Sequence, residues 1–200
     1  MNVRASLMEH ALVYRLWQAP FAEQKLAPFF AHTDVRALRR VLDVGCGPGT
    51  NTGHFAHTDY VGVDINPRYI ESARQRHGRT YVVADVTANP DLGARFDCVF
   101  INSFLHHVND ADADNILARL APRVTADGYV HALELVLPPR PSPARLLARL
   151  DRGDYARPIA RWRELFRAHY DEVVFEPYGL GAFGVTLWSM VYFKGKPRTS

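Results

Sequence analysis

The sequence predicts an α/β fold, a mostly parallel sheet with helices on both faces that finishes in an antiparallel hairpin. Three observations carry this expectation. Short apolar runs at 40–44, 60–64, 80–84, 96–101 and 129–137 alternate with helical or irregular connections, the rhythm of strand–helix–strand units with both faces of the sheet covered. Two further strands at 172–176 and 185–193 are joined by the glycine-rich stretch 177–184. That connection is too short for a helical crossover, so the pair must be antiparallel. Finally, Asp43-Val44-Gly45-Cys46-Gly47-Pro48-Gly49 follows the first strand. Glycines at alternate positions allow positive φ and let a ligand approach backbone with no Cβ in the way.

The elements follow in chain order. Between residues 6 and 30, Leu7, Ala11, Leu12, Leu16 and Trp17 recur at roughly helical spacing, and Pro20 and Pro28 break the pattern, giving two short helices. These either pack on the sheet or form a lid in which Tyr14 and Trp17 close over a ligand. After the glycine turn, Thr50 or Asn51 caps a short helix ending near 57–59. Asn66 caps the next helix, with Pro67 at its first position, Ile70 and Ala73 inward and Gly78 as its stop. Ala113, Ile116, Leu117, Leu120 and Val124 share one helical face, and Gly128 is read as the stop of that helix. The segment 138–170 breaks the rhythm with Pro138, Pro139 and Pro141, then offers helices near 144–150 and 159–169.

A chain of 200 residues suits one domain with a substantial core. The N-terminal segment carries Arg4, Glu9, His10 and Arg15 and lacks the apolar core of a secretory signal. The longest uncharged run, 177–193, contains three glycines and falls short of the ~20 residues of a membrane-spanning helix. A cytoplasmic location is expected. Cys46 and Cys98 stand alone, without disulfide or zinc-ligand spacing, so no metal site is expected. The net charge of +3 is modest, and the basic excess is concentrated in 138–170, where Arg145, Arg149 and Arg152 fall on one helical face.

The second strand ends in Asp64, placed to accept hydrogen bonds from ribose hydroxyls. A glycine turn followed by that acid points to a nucleoside-containing cofactor. The spacing is Gly-x-Gly-x-Gly rather than the Gly-x-Gly-x-x-Gly of dehydrogenases, and the chain leaves no room for a separate substrate domain, which disfavours a nicotinamide enzyme.

From about residue 40 to 193 the chain resembles the class I S-adenosylmethionine-dependent methyltransferases, in particular their small-molecule members. The resemblance implies a Rossmann-like, seven-stranded sheet over 40–200, preceded by a helical lid at 1–39 and carrying a helical substrate-binding insertion at about 138–170. It also implies S-adenosylmethionine as cofactor, held by Asp43, Gly45, Cys46, Gly47 and Gly49, by Asp64 at the ribose and Ile65 beside it, by Asp85 and Val86 flanking the adenine, and by Asn102 and Ser103 after the fourth strand. Leu105-His106-His107-Val108-x-Asp110 looks like the version common among small-molecule enzymes. No Asn/Asp-Pro-Pro-Tyr stretch follows the fourth strand and no Pro-Cys nucleophile is present, so nucleic acid is not the expected partner; a small-molecule methyl acceptor is.

Methyl transfer from a sulfonium is an in-line displacement that depends mainly on positioning. A base helps when the acceptor carries a proton, and His106 and His107 are best placed for that or for orienting the loop. Glu134 is the next candidate; strand alternation puts it on the opposite face from His131. Arg145, Arg149 and Arg152 suit a carboxylate or phosphate if they face the pocket, and a solvated surface otherwise. The expected activity is methylation of an oxygen, ahead of nitrogen, on a small and acidic metabolite. The alternative is a binding module that keeps the cofactor pocket and meets a protein, nucleic acid or lipid surface through its arginine helices. The oligomeric state is not legible.

Overall fold

The computed structural model describes residues 21–88, 90–93, 95–151 and 153–198. Its strands are β1 (Arg40–Val44), β2 (Asp59–Asp64), β3 (Thr80–Val83), β4 (Phe96–Asn102), β5 (Val124–Leu135), β6 (Tyr170–Ala182) and β7 (Val185–Pro197). They form one sheet in the order β3-β2-β1-β4-β5-β7-β6. The pairs β1–β2, β1–β4, β2–β3 and β4–β5 are parallel, whereas β7 lies antiparallel to both β5 and β6. Strand order therefore reverses between β1 and β4, and the crevice beyond the carboxyl ends of such neighbours is where open α/β sheets bind ligands.

Alternation along the strands feeds two cores. Val41, Tyr60, Cys98, Phe100 and Leu133 face α1 (Ala22–His32) and α2 (Pro67–His77), which bury Leu26 and Phe29 and Ile70 and Ala73 against them. Leu42, Val61, Val99 and Ile101 face α3 (Asp110–Leu120) and α5 (Ile159–His169), with Ile116, Leu117, Trp162 and Phe166. Burying one such side chain contributes roughly 1.5–3 kcal/mol. A third cluster, Leu135, Ala148, Leu180, Trp188 and Met190, lies beneath α4 (Pro143–Leu150) near the hairpin's end of the sheet.

The structure reproduces the α2 signals: Asn66 Oδ1 accepts from the Arg68 N–H, Pro67 occupies the first turn, and Gly78 closes the helix at φ 58. Four boundaries differ. Pro28 does not break α1; it lies buried inside the helix, where apolar packing outweighs the lost hydrogen bond. After the glycine turn there is a single 3₁₀ turn, Thr52–Phe55, rather than an α-helix. The Asn51 side chain makes no cap there and accepts instead from Asn102 Nδ2 at 3.1 Å. Gly128 does not stop α3. The helix ends at Leu120, a turn at Ala121–Arg123 follows, and Val124 already belongs to β5. Gly128 sits within β5 because a Cβ there would come within 2.8 Å of the Asp97 carbonyl.

The stretch 177–184 is mostly strand as well. The connection shrinks to Phe183 and Gly184, both at positive φ (52° and 76°), a two-residue turn whose twist suits a hairpin. No helix among the described residues is long and apolar enough to cross a membrane. Tyr14, Trp17 and Arg152 lie outside the described residues.

Candidate active site

The cofactor side is built from backbone. Gly45, Gly47 and Gly49 all take positive φ (69°, 54° and 80°), and the Gly45 and Cys46 N–H groups donate to Val63 O at 2.8 and 3.0 Å, locking the turn onto β2. Gly47 has open space where a Cβ would stand. Its N–H donates to Asp64 Oδ2 at 3.0 Å while the Asn66 N–H donates to Oδ1 at 2.8 Å, so the acid is held beside the turn with lone pairs to spare. Ile65 is exposed next to it. Asp85 is exposed and its Oδ1 accepts from both the N–H and Oγ1 of Thr87, which holds its carboxyl below the usual range; Val86 is buried.

Beneath the turn, Asp43 is fully buried. Burial pushes its carboxyl up to about 7, against the Tyr60 hydroxyl that donates to Oδ2 at 2.7 Å. Its Oδ1 and Asn102 Oδ1 are buried acceptors with no hydrogen-bond partner among the described residues. Two acceptors left over beside an open glycine, an acid at the tip of β2 and an exposed aliphatic next to it fit the ammonium, ribose and adenine of S-adenosylmethionine. Cys46 is a buried free thiol. Its side chain turns under the loop, where a Cβ on Gly62 would lie 2.9 Å from Sγ, and burial pushes the thiol up.

A second cluster, just past β4, is built from side chains. At the end of β4, Ser103 adopts φ 54 and redirects the chain. The Phe104 and Leu105 N–H groups then donate to Glu134 Oε1 at 3.1 and 2.8 Å, and His106 Nδ1 lies 2.8 Å from Glu134 Oε2. Glu134 is fully buried and His106 almost so. The far ring nitrogen, Nε2, stands 3.3 Å from Asp151 Oδ2 in an ion pair without hydrogen-bond alignment. Burial depresses the imidazole, but the Asp151 and Glu134 carboxylates outweigh it and raise His106 to about 9. In this arrangement His106 is an imidazolium.

His106 opens on a narrow cavity lined by Phe21, Lys25, Ser103, Leu135, Asp151, Leu180, Trp188 and Met190. The Lys25 ammonium is lowered to about 8 by burial, partly offset by Glu134 and Asp151. The segment after α4 closes over the histidine: a Cβ on Gly153 would strike its ring, and the Tyr155 N–H donates to His106 O at 3.0 Å. Arg157 fastens that segment, donating to Leu105 O at 2.9 Å, Val108 O at 2.7 Å and Asp110 Oδ1 at 2.6 Å while its guanidinium lies 4.7 Å from the Trp162 ring centroid.

The structure thus brings together His106, Glu134 and Ser103 and leaves other candidates aside. His107 is exposed, its ring centroid 4.3 Å from that of His106. Arg145 donates to the Pro138 carbonyl and Arg149 is exposed; neither lines the cavity, because the buried face of α4 is Ala144 and Ala148. Sequence reasoning missed Lys25, Asp151 and Arg157. Lys25 had one signal, a lysine within a chain that otherwise uses arginine up to Lys194. Arg157 was hidden among the surrounding arginines.

Residues 41–128 match a methyltransferase domain family. Among relatives, the trans-aconitate 2-methyltransferase of Methylobacterium radiotolerans is 31% identical over 118 residues, covering 54% of this chain and 42% of that protein. The malonyl-[acyl-carrier protein] O-methyltransferase of Legionella pneumophila is 37% identical over 78 residues, 35% of this chain and 28% of that protein. The chain thus spans less than half the length of these relatives. In fold it is similar to the N-methyltransferase NodS from Bradyrhizobium japonicum, with a TM-score of 0.69 and 15% identity over 90% of this chain and 98% of that one. The glycine turn, the Asp64 carboxylate and the antiparallel hairpin stand in the order of the class I S-adenosylmethionine-dependent methyltransferases, which the chain resembles in its matched methyltransferase domain and in its fold.

Proposed function

We propose that this chain transfers the methyl group of S-adenosylmethionine to an oxygen, in preference to a nitrogen, of a small acidic metabolite. The observation that carries the reading is His106, held by the buried Glu134 carboxylate at 2.8 Å and lining a cavity just past β4. The bound cofactor supplies an electrophilic methyl group. Gly47, Asp64 and the unpaired oxygens of Asp43 and Asn102 are the groups that hold it, and Ser103, which follows Asn102 in the chain, lines the cavity.

The residues of the chain do three things. The Glu134 carboxylate fixes the ring through Nδ1, which directs the exchangeable proton to Nε2. Once its resting proton has passed to solvent, Nε2 takes the proton of an acceptor hydroxyl, and the imidazolium re-formed is stabilised by Glu134. The apolar walls Leu135, Leu180, Trp188 and Met190 exclude water and confine the acceptor, which is where most of the rate gain of a displacement comes from. Two of the relatives are methyltransferases whose named acceptors, trans-aconitate and malonyl-[acyl-carrier protein], carry carboxyl groups, which supports an acidic acceptor. The segment 138–170 is the substrate-side insertion in this reading.

The test is transfer of labelled methyl from S-adenosylmethionine to a panel of hydroxy acids, carboxylic acids, phenols and amines. Label in an ester or ether product, lost in His106→Gln, is the expected result. Label in amines alone, or transfer unaffected by His106→Gln, contradicts the reading.

A further inference from the structure

The acceptor cavity has an occupant built into the chain. Asp151, directly after α4, places its carboxylate 3.3 Å from His106 Nε2 and lines the same cavity as Lys25. What remains beside it is about 30 Å³, room for a water or two. No metabolite fits without displacing something. The other contacts of His106 are fixed: Glu134 is buried and takes three N–H donors. The Asp151 carboxylate, 3.3 Å from Nε2 and without hydrogen-bond alignment, is the loosest of the ring's charged contacts and the one an acceptor oxygen can replace.

We propose that the acceptor is a flat, unsaturated molecule bearing an acidic hydroxyl, and that this oxygen replaces the Asp151 carboxylate between His106 and Lys25. The chemistry of the walls sets the class. The lining offers a single acidic oxygen one imidazole and one ammonium, and offers the rest of the molecule Leu135, Leu180, Met190 and the tilted pair Phe21 and Trp188, whose ring centroids are 5.4 Å apart. An ammonium-bearing acceptor would instead meet Lys25 with like charge.

The step balances. As Asp151 withdraws, the ring loses one of the two carboxylates that hold its second proton, that proton passes to solvent, and Nε2 is left to accept. The acceptor O–H bond breaks with its proton going to Nε2, the O–CH₃ bond forms, and the methyl–sulfur bond breaks with its electron pair remaining on sulfur. Return of Asp151 expels the neutral ether. This inference rests on the methyl-transfer reading of the cleft.

The probe is para-nitrophenol, whose phenolate is coloured, added to the full chain saturated with S-adenosylhomocysteine at about pH 6, with para-nitroaniline as the amine counterpart. Binding should generate the phenolate band. Asp151→Asn should tighten it by about tenfold through removal of a competing anion, and Lys25→Met should weaken it by a similar factor. His106→Gln should abolish the band, while S-adenosylhomocysteine affinity stays unchanged in all three as the check on folding. Absence of the band in both wild type and Asp151→Asn, weaker binding in Asp151→Asn, or equal binding of para-nitroaniline overturns the inference. Failure of S-adenosylhomocysteine itself to bind wild-type protein overturns the methyl-transfer reading beneath it, a separable result.

Discussion

The two halves of the cleft are made in different ways. The cofactor half is a backbone object: positive-φ glycines, N–H groups donated to Val63 and Asp64, and one carboxylate at a strand tip, within 22 residues of sequence from Asp43 to Asp64. The proposed acceptor half is a side-chain object assembled from Lys25 on α1, His106 after β4, Glu134 on β5, Asp151 after α4 and Trp188 on β7. The first is fixed by local conformation, the second by tertiary packing. Damage to each should therefore appear in different measurements.

The largest effect is expected at Glu134. Replacing it with alanine strips a buried imidazolium and two backbone N–H groups of their acceptor, and breaking a buried pair in this way costs about 3–5 kcal/mol. Denaturant unfolding should show that loss. A cost below about 1 kcal/mol would mean that Glu134 does not hold the loop.

Next comes the pH dependence that the same pair imposes. His106 is raised from 6.5 to about 9, so its contribution to stability is complete below about pH 6.5 and is lost as pH rises through about 9. The difference in unfolding free energy between wild type and His106→Gln should shrink by roughly 3 kcal/mol across that window. Measuring the difference cancels the opposite trend of Lys25, whose lowered pKa adds stability above about pH 8. A pH-independent difference would remove the imidazolium assignment.

The smallest effect marks the edge of the acceptor half. Arg149 is exposed, so Arg149→Ala should change stability by less than about 0.5 kcal/mol and leave acceptor binding unaltered. A clear loss of methyl transfer would bring the α4 arginines back into the site.

This division also explains what the sequence made legible. The sheet, its hairpin and the α2 caps were readable because each follows from residues close in the chain: Asn66, Pro67 and Gly78 need no partner to mark a helix. Asp64 was readable for the same reason. The 3₁₀ turn after Gly49 was not, because Asn51 spends its side chain on Asn102, a partner 51 residues away. Gly128 reads as a helix stop until the backbone of Asp97 is seen against it. On the acceptor side, periodicity placed Arg145 and Arg149 on one helical face without saying which way the face turned. Ala144 and Ala148 decided it, being small enough to sit against the sheet. Lys25 and Asp151 lie 126 residues apart in sequence and share a cavity only because β5 and β7 bring their elements together.

Separate construction of the two halves has a direct test in calorimetric titration of S-adenosylhomocysteine into wild type, Asp64→Ala and His106→Gln. Asp64→Ala removes the proposed acceptor for the ribose hydroxyls and should lose about 100-fold in affinity, while His106→Gln should bind as wild type does. Equal affinity in Asp64→Ala, or a loss in His106→Gln comparable to that in Asp64→Ala, would contradict the account.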